Sequence, residues 1–372
     1  MKFVIITHVV HVKKNGKYFG YSPYIREMNI WEKYIDELIV VAPLTSRELT
    51  EIDDSYKNKN IDFKQIPAFN ITSLLNVLSL TFKLPIIFWK IFWAMKKADH
   101  IHLRCPGNVG LIGCIVQMLF PNKIKTAKYA GNWDPKSKQP ITYRMQKWIL
   151  NNTFLTRNMK VLVYGDWKEI SHNIQPFFTA SYYEKEKSPL KILDLNETIK
   201  FIFVGTLSSG KNPLYAVKLI EDLIKKGYKV SLQLYGEGQE RNALEEYIFT
   251  NKLANYVTLK GNQNRKIITN AYENSHFIVL PSKSEGWPKA IAEGMFWGCV
   301  PVATNISCVS DMLDYGNRGI LLQRELEKDV QQLENILNHE QRFDSFRKKS
   351  SEWSRKYTLD LFESEIKRIL EK

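Results

Sequence analysis

The sequence has 372 residues, 44% hydrophobic and 25% charged, which excludes a disordered chain and is enough for two domains. Its net charge of +14 is uneven: residues 1–200 hold 29 Lys and Arg against 17 Asp and Glu, and residues 201–372 hold 24 against 22. The basic first half predicts either an anionic partner or simply a soluble surface.

Short apolar runs rich in β-branched residues alternate with helical patterns in the first half. The predicted strands are Phe3–Ile6, Leu38–Ala42, His100–Leu103, Lys125–Tyr129 and Val161–Tyr164. Such alternation is typical of a parallel sheet with helices on both faces. Two glycines, Gly16 and Gly20, follow the first strand; we interpret them as turn residues in preference to the wall of a ligand cleft.

The most apolar stretch is Ile71–Met95, but Lys83, Pro85 and Lys90 interrupt it. It therefore predicts a pair of helices and not a membrane span. Its aromatic residues are Phe88, Trp89, Phe92 and Trp93. They predict a stripe that faces the core, with contact to a membrane surface as the second interpretation.

The cysteines and histidines show no pattern of a disulfide framework or a metal site. The four cysteines, Cys105, Cys114, Cys299 and Cys308, form no Cys-x-x-Cys pair, which fits the reducing cytosol. The histidines lack metal-ligand spacing, and we interpret His100 and His102 as structural. The cysteines therefore predict a cytoplasmic protein, and neither residue type marks a metal site.

A polar run over residues 181–199 predicts a linker between a first domain, residues 1–180, and a second domain, residues 200–354. The second domain has a regular series of predicted strands: Phe201–Val204, Lys229–Tyr235, Tyr256–Lys260, Phe277–Leu280 and Val300–Ala303. Asn212 and Pro213 predict a capped helix start after the first of them. The charged tail predicts a final helix, about 355–372, that packs back on the first domain.

The segment that carries chemistry is the loop after Phe277–Leu280 and the helix predicted from Pro288. A helix start at the carboxyl end of a strand is an anion site, because it presents free N–H groups and a positive dipole end. Glu285 precedes this helix and Glu293 lies on it. Carboxylates on both sides of an anion site suit a nucleotide sugar, whose hydroxyls flank a diphosphate. In the alternative interpretation Glu293 only caps the helix or pairs with a lysine.

Four motifs, in this order over residues 200–322, together resemble the group 1 retaining glycosyltransferases of the GT-B architecture. The pieces are Gly205-Thr206 followed by Lys211; Gly236-Glu237-Gly238; Gly261; and Glu285-x7-Glu293 followed by Gly294-Met295-Phe296-Trp297-Gly298 and Pro301-Val302. The resemblance implies two doubly wound Rossmann-like domains facing across a cleft, the first for the acceptor and the second for the donor.

The resemblance also implies roles for individual residues. Lys211 would stabilise the leaving diphosphate as a point charge, Glu285 would face the donor sugar and Glu293 the ribose hydroxyls. The remaining implied donor contacts are Gly205 beside the diphosphate, Gly236 and Thr206 elsewhere in the donor site, and Gly261 near the base. The segment Gly286, Trp287, Pro288 and Lys289 would hold phosphate through its backbone N–H groups, which Pro288 itself lacks.

Two positions depart from the family pattern. Thr206 stands where the family has an arginine, and a threonine cannot bind phosphate in a bidentate manner. Lys289 is a candidate to replace that charge, with an ordinary solvated lysine as the alternative. The first half lacks the histidine that many members place near residues 128–134, and Asn132 and Asp134 there have no assigned role.

We therefore expect a retaining transferase that moves a hexose-type sugar from a nucleotide-diphosphate sugar to a glycan or lipid-linked acceptor, without cofactor or metal. The basic first half predicts peripheral contact with an anionic membrane surface. Two alternatives remain: a nucleotide-sugar hydrolase or epimerase, and a basic nucleic-acid-binding protein. Carboxylates beside the anion site disfavour nucleic acid as a partner, because they repel a phosphate backbone.

Overall fold

The computed structural model describes residues 1–68, 74–167 and 170–371, without the side chains of residues 74–82. The chain divides into two compact units. The first unit comprises residues 1–178 and 362–372, and the second comprises residues 179–361. The segment predicted as a linker, 181–199, lies within the second unit, where Tyr182 is buried against Phe296 and Trp297.

The first unit is built on one mixed sheet. Its strands in the described residues are β1 (Lys2–Ile6), β2 (His11–Lys14), β3 (Lys17–Tyr21), β4 (Glu37–Thr45), β5 (Asp53–Ser55), β6 (Ile61–Ile66), β7 (His100–Cys105), β8 (Ile124–Tyr129), β9 (Met159–Tyr164) and β10 (Ile174–Phe177). The parallel strands run in the order β6-β4-β1-β7-β8-β9-β10. This is the doubly wound order, in which the direction of winding reverses between β1 and β7.

All five strands predicted in this half are confirmed. The sequence interpretation missed the antiparallel extension formed by β2, β3 and β5. Its hairpin turn is Asn15-Gly16, both with positive φ (50° and 73°), as a tight two-residue turn requires. Gly16 is thus a turn residue, as predicted, but Gly20 lies within β3, so its interpretation as a turn residue is wrong.

Four helices complete most of the first unit: α1 (Ser22–Trp31), α2 (Leu74–Lys97), α3 (Asn108–Val116) and α4 (Ile141–Leu150). The prediction of two helices over 71–95 is wrong from residue 74 onward, because α2 continues through Pro85; residues 71–73 lie outside the described residues. The prediction of a core-facing aromatic stripe is wrong for Phe88, Trp89 and Trp93, which are exposed, and holds only for Phe92, which is half-buried against the core. The other core contacts of α2 come from its aliphatic residues, among them Ile87 and Ile91.

His100 and His102 are buried within the first unit, as predicted. His100 Nε2 and His102 Nδ1 lie 2.9 and 2.8 Å from the same hydroxyl, Thr126 Oγ1. Burial lowers the pKa of both imidazoles, to about 3 for His100. Both rings are therefore neutral at pH 7 and serve as polar packing.

A buried charge cluster links α1 to the carboxyl ends of β7 and β8. Glu27 Oε1 lies 3.0 Å from Arg104 Nη1 and 2.9 Å from Lys128 Nζ, and Lys128 is fully buried. Burial alone would raise the pKa of Glu27, but the attraction of the two cations outweighs it and lowers that pKa from 4.5 to about 2.

This cluster predicts acid sensitivity of the first unit. Since the folded pKa of Glu27 lies below its unfolded value, its contribution to stability is complete above about pH 4.5 and is lost as the pH falls toward 2. The gap in unfolding free energy between wild type and Glu27→Gln should shrink by about 2–3 kcal/mol from pH 6 to pH 2.5. Urea unfolding at several pH values measures this gap.

Glu37→Gln is the matched control, because Glu37 pairs with Lys2 at the surface of the same unit. Its gap to wild type should stay within a few tenths of a kcal/mol, about the worth of an exposed pair. A pH-independent gap for Glu27→Gln would show that the ionised carboxylate of Glu27 does not stabilise the unit.

The second unit has an entirely parallel sheet. Its strands in the described residues are β11 (Ile199–Val204), β12 (Val230–Tyr235), β13 (Val257–Gly261), β14 (Phe277–Leu280), β15 (Val300–Thr304) and β16 (Ile320–Leu322). They run in the order β13-β12-β11-β14-β15-β16. This unit is therefore also doubly wound, with its reversal between β11 and β14.

The helices of the second unit cover both faces of this sheet: α5 (Pro213–Lys225), α6 (Arg241–Thr250), α7 (Arg265–Glu273), α8 (Lys289–Phe296), α9 (Val309–Met312), α10 (Leu326–Leu337) and α11 (Glu340–Ser354). The last helix, α12 (Leu359–Leu370), begins in the second unit, and its residues from Phe362 belong to the first. Phe362 packs there against Phe177 and Phe178.

Helix α5 begins at the predicted residue, but Asn212 does not cap it in the predicted way. Asn212 is the residue before the helix and Pro213 is its first residue, as predicted. The side chain of Asn212 makes no capping hydrogen bond, however, and its backbone is left-handed, with φ at 54°. Asparagine tolerates that conformation better than most residues, so its role is to turn the chain into α5.

No helix in the described part of the chain is long and apolar enough to cross a membrane.

Candidate functional site

The candidate site lies where the winding of the second unit reverses. Ligands of open parallel sheets bind at the carboxyl ends of the strands, at this reversal point. Two loops meet there: the β11–α5 loop, residues 205–212, and the β14–α8 loop, residues 281–288. The sequence placed most of its candidate residues on these two loops.

An ion pair joins the two loops at the reversal point. Lys211 Nζ lies 2.6 Å from Glu285 Oε1, although the residues are 74 positions apart. The Glu285 side chain is 7% exposed and that of Lys211 is 31% exposed. The carboxylate of Glu285 thus fixes the position of the ammonium group, while the Lys211 side chain remains partly accessible to a ligand.

Backbone hydrogen bonds fix the loops that surround this ion pair. Lys283 N donates to Gly210 O (2.8 Å), which ties the β14–α8 loop to the β11–α5 loop. Gly205 N donates to Tyr235 O (2.9 Å), which continues the pairing of β11 and β12 past the end of the strands. The ion pair therefore rests on a rigid backbone, as a preorganised charge site requires.

Gly236 packs against the loop that leads to Lys211. Its φ is +141°, and a Cβ at this position would lie 2.0 Å from Gly205 O. Its N–H donates to Gly261 O (2.9 Å), and Gly261 itself has a left-handed φ of +66°. The structure thus gives both predicted glycines a reason: a side chain at Gly236 would meet the backbone of Gly205, and Gly261 has a left-handed conformation that other residues rarely adopt.

A buried cysteine, Cys308, contacts the β14–α8 loop, although no sequence pattern assigns it to the site. Burial raises the pKa of Cys308 to about 12, so its thiol is protonated and donates from Sγ to Gly286 O at 2.9 Å. On the same loop, Trp287 stacks on Trp353, with ring centroids 6.0 Å apart. These contacts position the backbone immediately before α8.

The start of α8 has the geometry of the predicted anion site. Pro288 is the residue before the helix, and Lys289 is its first residue. Ile291 N makes the first hydrogen bond of the helix, to Pro288 O at 2.9 Å, so the amides of Lys289 and Ala290 precede the helical hydrogen-bond pattern, and the helix dipole is positive at this end. The Lys289 side chain is half-buried beside this turn. Thr206, at the position of the family arginine, is exposed on the β11–α5 loop.

Glu293 lies one turn further along α8 and has partners other than those of Glu285. Ser181 Oγ donates to Glu293 Oε1, and the Tyr272 hydroxyl donates to Glu293 Oε2 at 3.2 Å. Burial and the neighbouring carboxylate raise the pKa of Tyr272, which keeps its hydroxyl protonated. In place of the alternative predicted from the sequence, a lysine pair or a cap, the structure shows two hydroxyl donors.

In the first unit, Asn132 and Asp134 belong to one local turn. Asp134 N donates to Asn132 Oδ1 (2.9 Å), and Lys136 N donates to Asp134 Oδ1 (2.8 Å). Both side chains thus cap backbone groups of the loop after β8. Across the described ranges, no three His, Cys, Asp or Glu side chains come together in a way that would hold a metal ion.

The arrangement offers three chemical functions at one sheet edge. Lys211 supplies a cation, the first turn of α8 supplies amide N–H donors, and Glu285 and Glu293 supply hydrogen-bond acceptors. Cation and amide groups bind phosphate, and carboxylates bind sugar hydroxyls. The site therefore matches a ligand with a phosphate group between hydroxyl-rich ends.

Comparison with known proteins gives the same family. The family described as glycosyl transferases group 1 matches residues 184–353, almost the whole second unit. Protein CapJ of Staphylococcus aureus is 24% identical over 328 residues, which cover 83% of this chain and 79% of CapJ. Poly(glycerol-phosphate) alpha-glucosyltransferase of Bacillus subtilis is 25% identical over 52% of this chain, and the match spans 29% of that longer protein.

Solved structures show the same fold. The crystal structure of Anabaena HepE in complex with UDP and glucose superposes with a TM-score of 0.70 at 14% identity. The match covers 100% of this chain and 99% of HepE. The fold prediction, a GT-B glycosyltransferase fold of two doubly wound α/β units, is confirmed.

Proposed function

We propose that this chain, whose residues 184–353 match the group 1 glycosyltransferases, transfers a hexose-type sugar with retention of anomeric configuration. The donor is a nucleotide-diphosphate sugar, with a UDP-sugar as the first candidate because HepE was solved with UDP and glucose. The observation that carries the proposal is the Lys211–Glu285 ion pair at the reversal point of the second unit.

Each element of the site has a task in this reaction. The first turn of α8 binds the diphosphate, and Lys211 stabilises the negative charge that develops on it as the bond from the anomeric carbon to oxygen breaks. Glu285 positions Lys211 and accepts hydrogen bonds from the sugar hydroxyls. Glu293 accepts hydrogen bonds from the ribose, for which the donor would displace Ser181 or Tyr272.

Retention follows if the acceptor approaches on the face that the diphosphate leaves. The acceptor oxygen forms the new bond to the anomeric carbon, and its proton passes to the departing phosphate oxygen. No protein base is needed, so catalysis depends on positioning and on electrostatic stabilisation. We also propose that neither a metal nor a cofactor takes part, with Lys211 as the charge that stabilises the phosphate.

The proposed acceptor is a glycan or a lipid-linked carrier in the synthesis of a surface polysaccharide. The similarity to an enzyme named for its action on poly(glycerol phosphate) supports a polymeric acceptor. Surface polymers are assembled at the cytoplasmic face of the membrane, and we place the protein there as a peripheral enzyme. A nucleotide-sugar hydrolase or epimerase would give free sugar or an isomerised donor, so product analysis separates these reactions.

Thermal unfolding with UDP, GDP and ADP at millimolar concentration tests the donor site. A nucleotide at about 100 times its Kd stabilises the folded state by about 2.7 kcal/mol. We expect one nucleotide to raise the Tm of wild type by several degrees, and Lys211→Ala to lose most of this rise. The nucleotide that acts identifies the base of the donor.

Lys225→Ala is the matched control, because Lys225 lies at the other end of α5 and also pairs with a carboxylate, Glu221, at 2.7 Å. It should respond to nucleotide as wild type does. If none of the three nucleotides changes the Tm of wild type, the proposed donor site does not bind nucleotides and the proposal fails.

A further inference from the structure

Three helices of the first unit form one layer on a single face of its sheet. Helix α3 contacts both α2 and α4, and the three contribute to one hydrophobic core together with β1, β7 and β8. Their inward positions, such as Ile91, Ile112 and Ile149, are buried in this core. The outward side of the layer would ordinarily be polar, because a surface helix keeps its apolar stripe for the core.

The outward side of this layer is instead rich in large apolar side chains. On α2 they are spaced three and four residues apart, and on α4 four and three, so each set follows one helix face: Ile86, Trp89 and Trp93; Ile141, Met145 and Trp148. Trp89 is 59% exposed and Trp148 is 65% exposed. Ile115 on α3 and the neighbouring Leu119 are exposed between them. We call these eight residues the aromatic face.

Basic residues accompany the aromatic face. Residues 83–158, which include α3, α4 and most of α2, hold 13 Lys and Arg against 2 Asp and Glu. Three of these cations lie on sheet strands and do not belong to this surface: Arg104, Lys125 and Lys128. Lys96, Lys97 and Arg144 are exposed beside the aromatic side chains, and Lys96 Nζ lies 4.6 Å from the Trp93 ring centroid. Lysine and arginine extend apolar stems along such a surface while their charged ends reach outward.

From these features we infer that the aromatic face binds the surface of an anionic lipid bilayer. Tryptophan rings suit the boundary between headgroups and acyl chains, and the surrounding cations attract acidic headgroups. The same charge argues against a second copy of this chain, because two such faces would repel each other. This inference concerns a surface of the first unit and does not depend on the transferase activity.

Flotation with lipid vesicles tests the inference. The wild-type protein should bind vesicles of phosphatidylcholine with about 30% phosphatidylglycerol at least tenfold more strongly than vesicles of phosphatidylcholine alone. Raising the salt from about 50 to about 500 mM should weaken this binding several-fold, because salt screens the headgroup charge. Lys96→Gln/Arg144→Gln should weaken it in the same way at low salt.

The apolar contribution is tested by Trp89→Ser/Trp148→Ser, which should lower vesicle binding at least tenfold. Phe249→Ser is the matched control, since Phe249 is an aromatic residue of the second unit that is 84% exposed, and it should bind as wild type does. Both variants should keep the thermal response to nucleotide, which separates a failure here from a failure of the proposed donor site.

Three results would overturn the inference. The first is equal binding of wild type to neutral and acidic vesicles, or no binding to either. The second is unchanged binding by Trp89→Ser/Trp148→Ser. The third is a wild-type dimer in sedimentation velocity that becomes a monomer in this variant, without any vesicle binding, because the aromatic face would then be a contact between two copies of the chain.

Discussion

Lys211→Ala should lower kcat by about 100-fold or more, the usual effect of removing one group that stabilises charge in the transition state. Lys211 has the geometry for this role, because its ammonium group is held by Glu285 at 2.6 Å on two loops that are bonded to each other. Initial rates with saturating donor and acceptor measure the effect. The KM for the donor should rise as well, since the same charge binds the ground-state diphosphate.

Two further variants separate charge from geometry. Lys211→Arg keeps a cation but replaces a compact ammonium with a planar guanidinium, so it should recover only a small part of the lost activity. Glu285→Gln keeps the shape of the side chain but removes the charge that holds Lys211. Because Glu285 acts in part through Lys211, the losses should not be additive, and the double variant should lose less activity than the product of the two single losses.

Lys225→Ala, which breaks an exposed ion pair at the other end of α5, should leave kcat unchanged. If Lys211→Ala kept the full kcat of wild type, Lys211 would have no catalytic role, and its ion pair with Glu285 would only hold the two loops together. A large loss in both lysine variants would point to damage to α5 and not to lost catalysis.

Five of the six strands of the second unit could be predicted from its sequence, because four of them end at or just before a glycine or proline; the short edge strand β16 was missed. The strand Phe277–Leu280 was predicted with its observed bounds, and Val300–Ala303 was short by one residue. The inner strands β14 and β15 are buried on both faces, as in a covered parallel sheet, so continuous hydrophobicity marks them, whereas β12 and β13 alternate between buried and more exposed residues. The loops that follow these strands were therefore predicted at their observed positions.

The first unit was harder to predict because part of its sheet is antiparallel and half-exposed. The signal for the β2–β3 hairpin was present in Lys14-Asn15-Gly16-Lys17, since Asn-Gly is the commonest sequence for a tight turn. The exposed aromatic residues of α2 were assigned to the core because spacing alone does not tell which side of a helix is buried. That depends on Ile87 and Ile91, which compete for the same sheet.

The contacts within the candidate site lie beyond what spacing can predict. Lys211 and Glu285 were each identified, but their direct contact joins positions 74 apart. The bond from Ser181 to Glu293 joins positions 112 apart, and it starts from a segment interpreted as a linker. Cys308 received no role in the site, because nothing in its neighbouring sequence shows that its thiol contacts the carbonyl of Gly286.

Gly236→Ala should destabilise the second unit by about 3 kcal/mol or more, because the new methyl group would meet backbone and not a flexible side chain. Its Cβ would lie 2.0 Å from Gly205 O, and the residue has a φ of +141° that side chains rarely adopt. Relief requires the β11–α5 loop to move away from β12. Urea unfolding and the Tm of the variant measure the cost.

Gly205→Ala is the matched control, because its Cβ would meet the side chains of Phe203 and Leu280 at ordinary distances of 3.7 and 4.0 Å. It should change the Tm by no more than a few degrees. A Gly236→Ala protein as stable as wild type would show that the two loops are not packed as closely as the geometry indicates. A destabilised but folded Gly236→Ala protein should also lose activity, since the displaced loop carries Lys211. The Gly-x-Gly segment would then serve catalysis by fixing the position of a charge, whether or not Gly236 itself contacts the nucleotide.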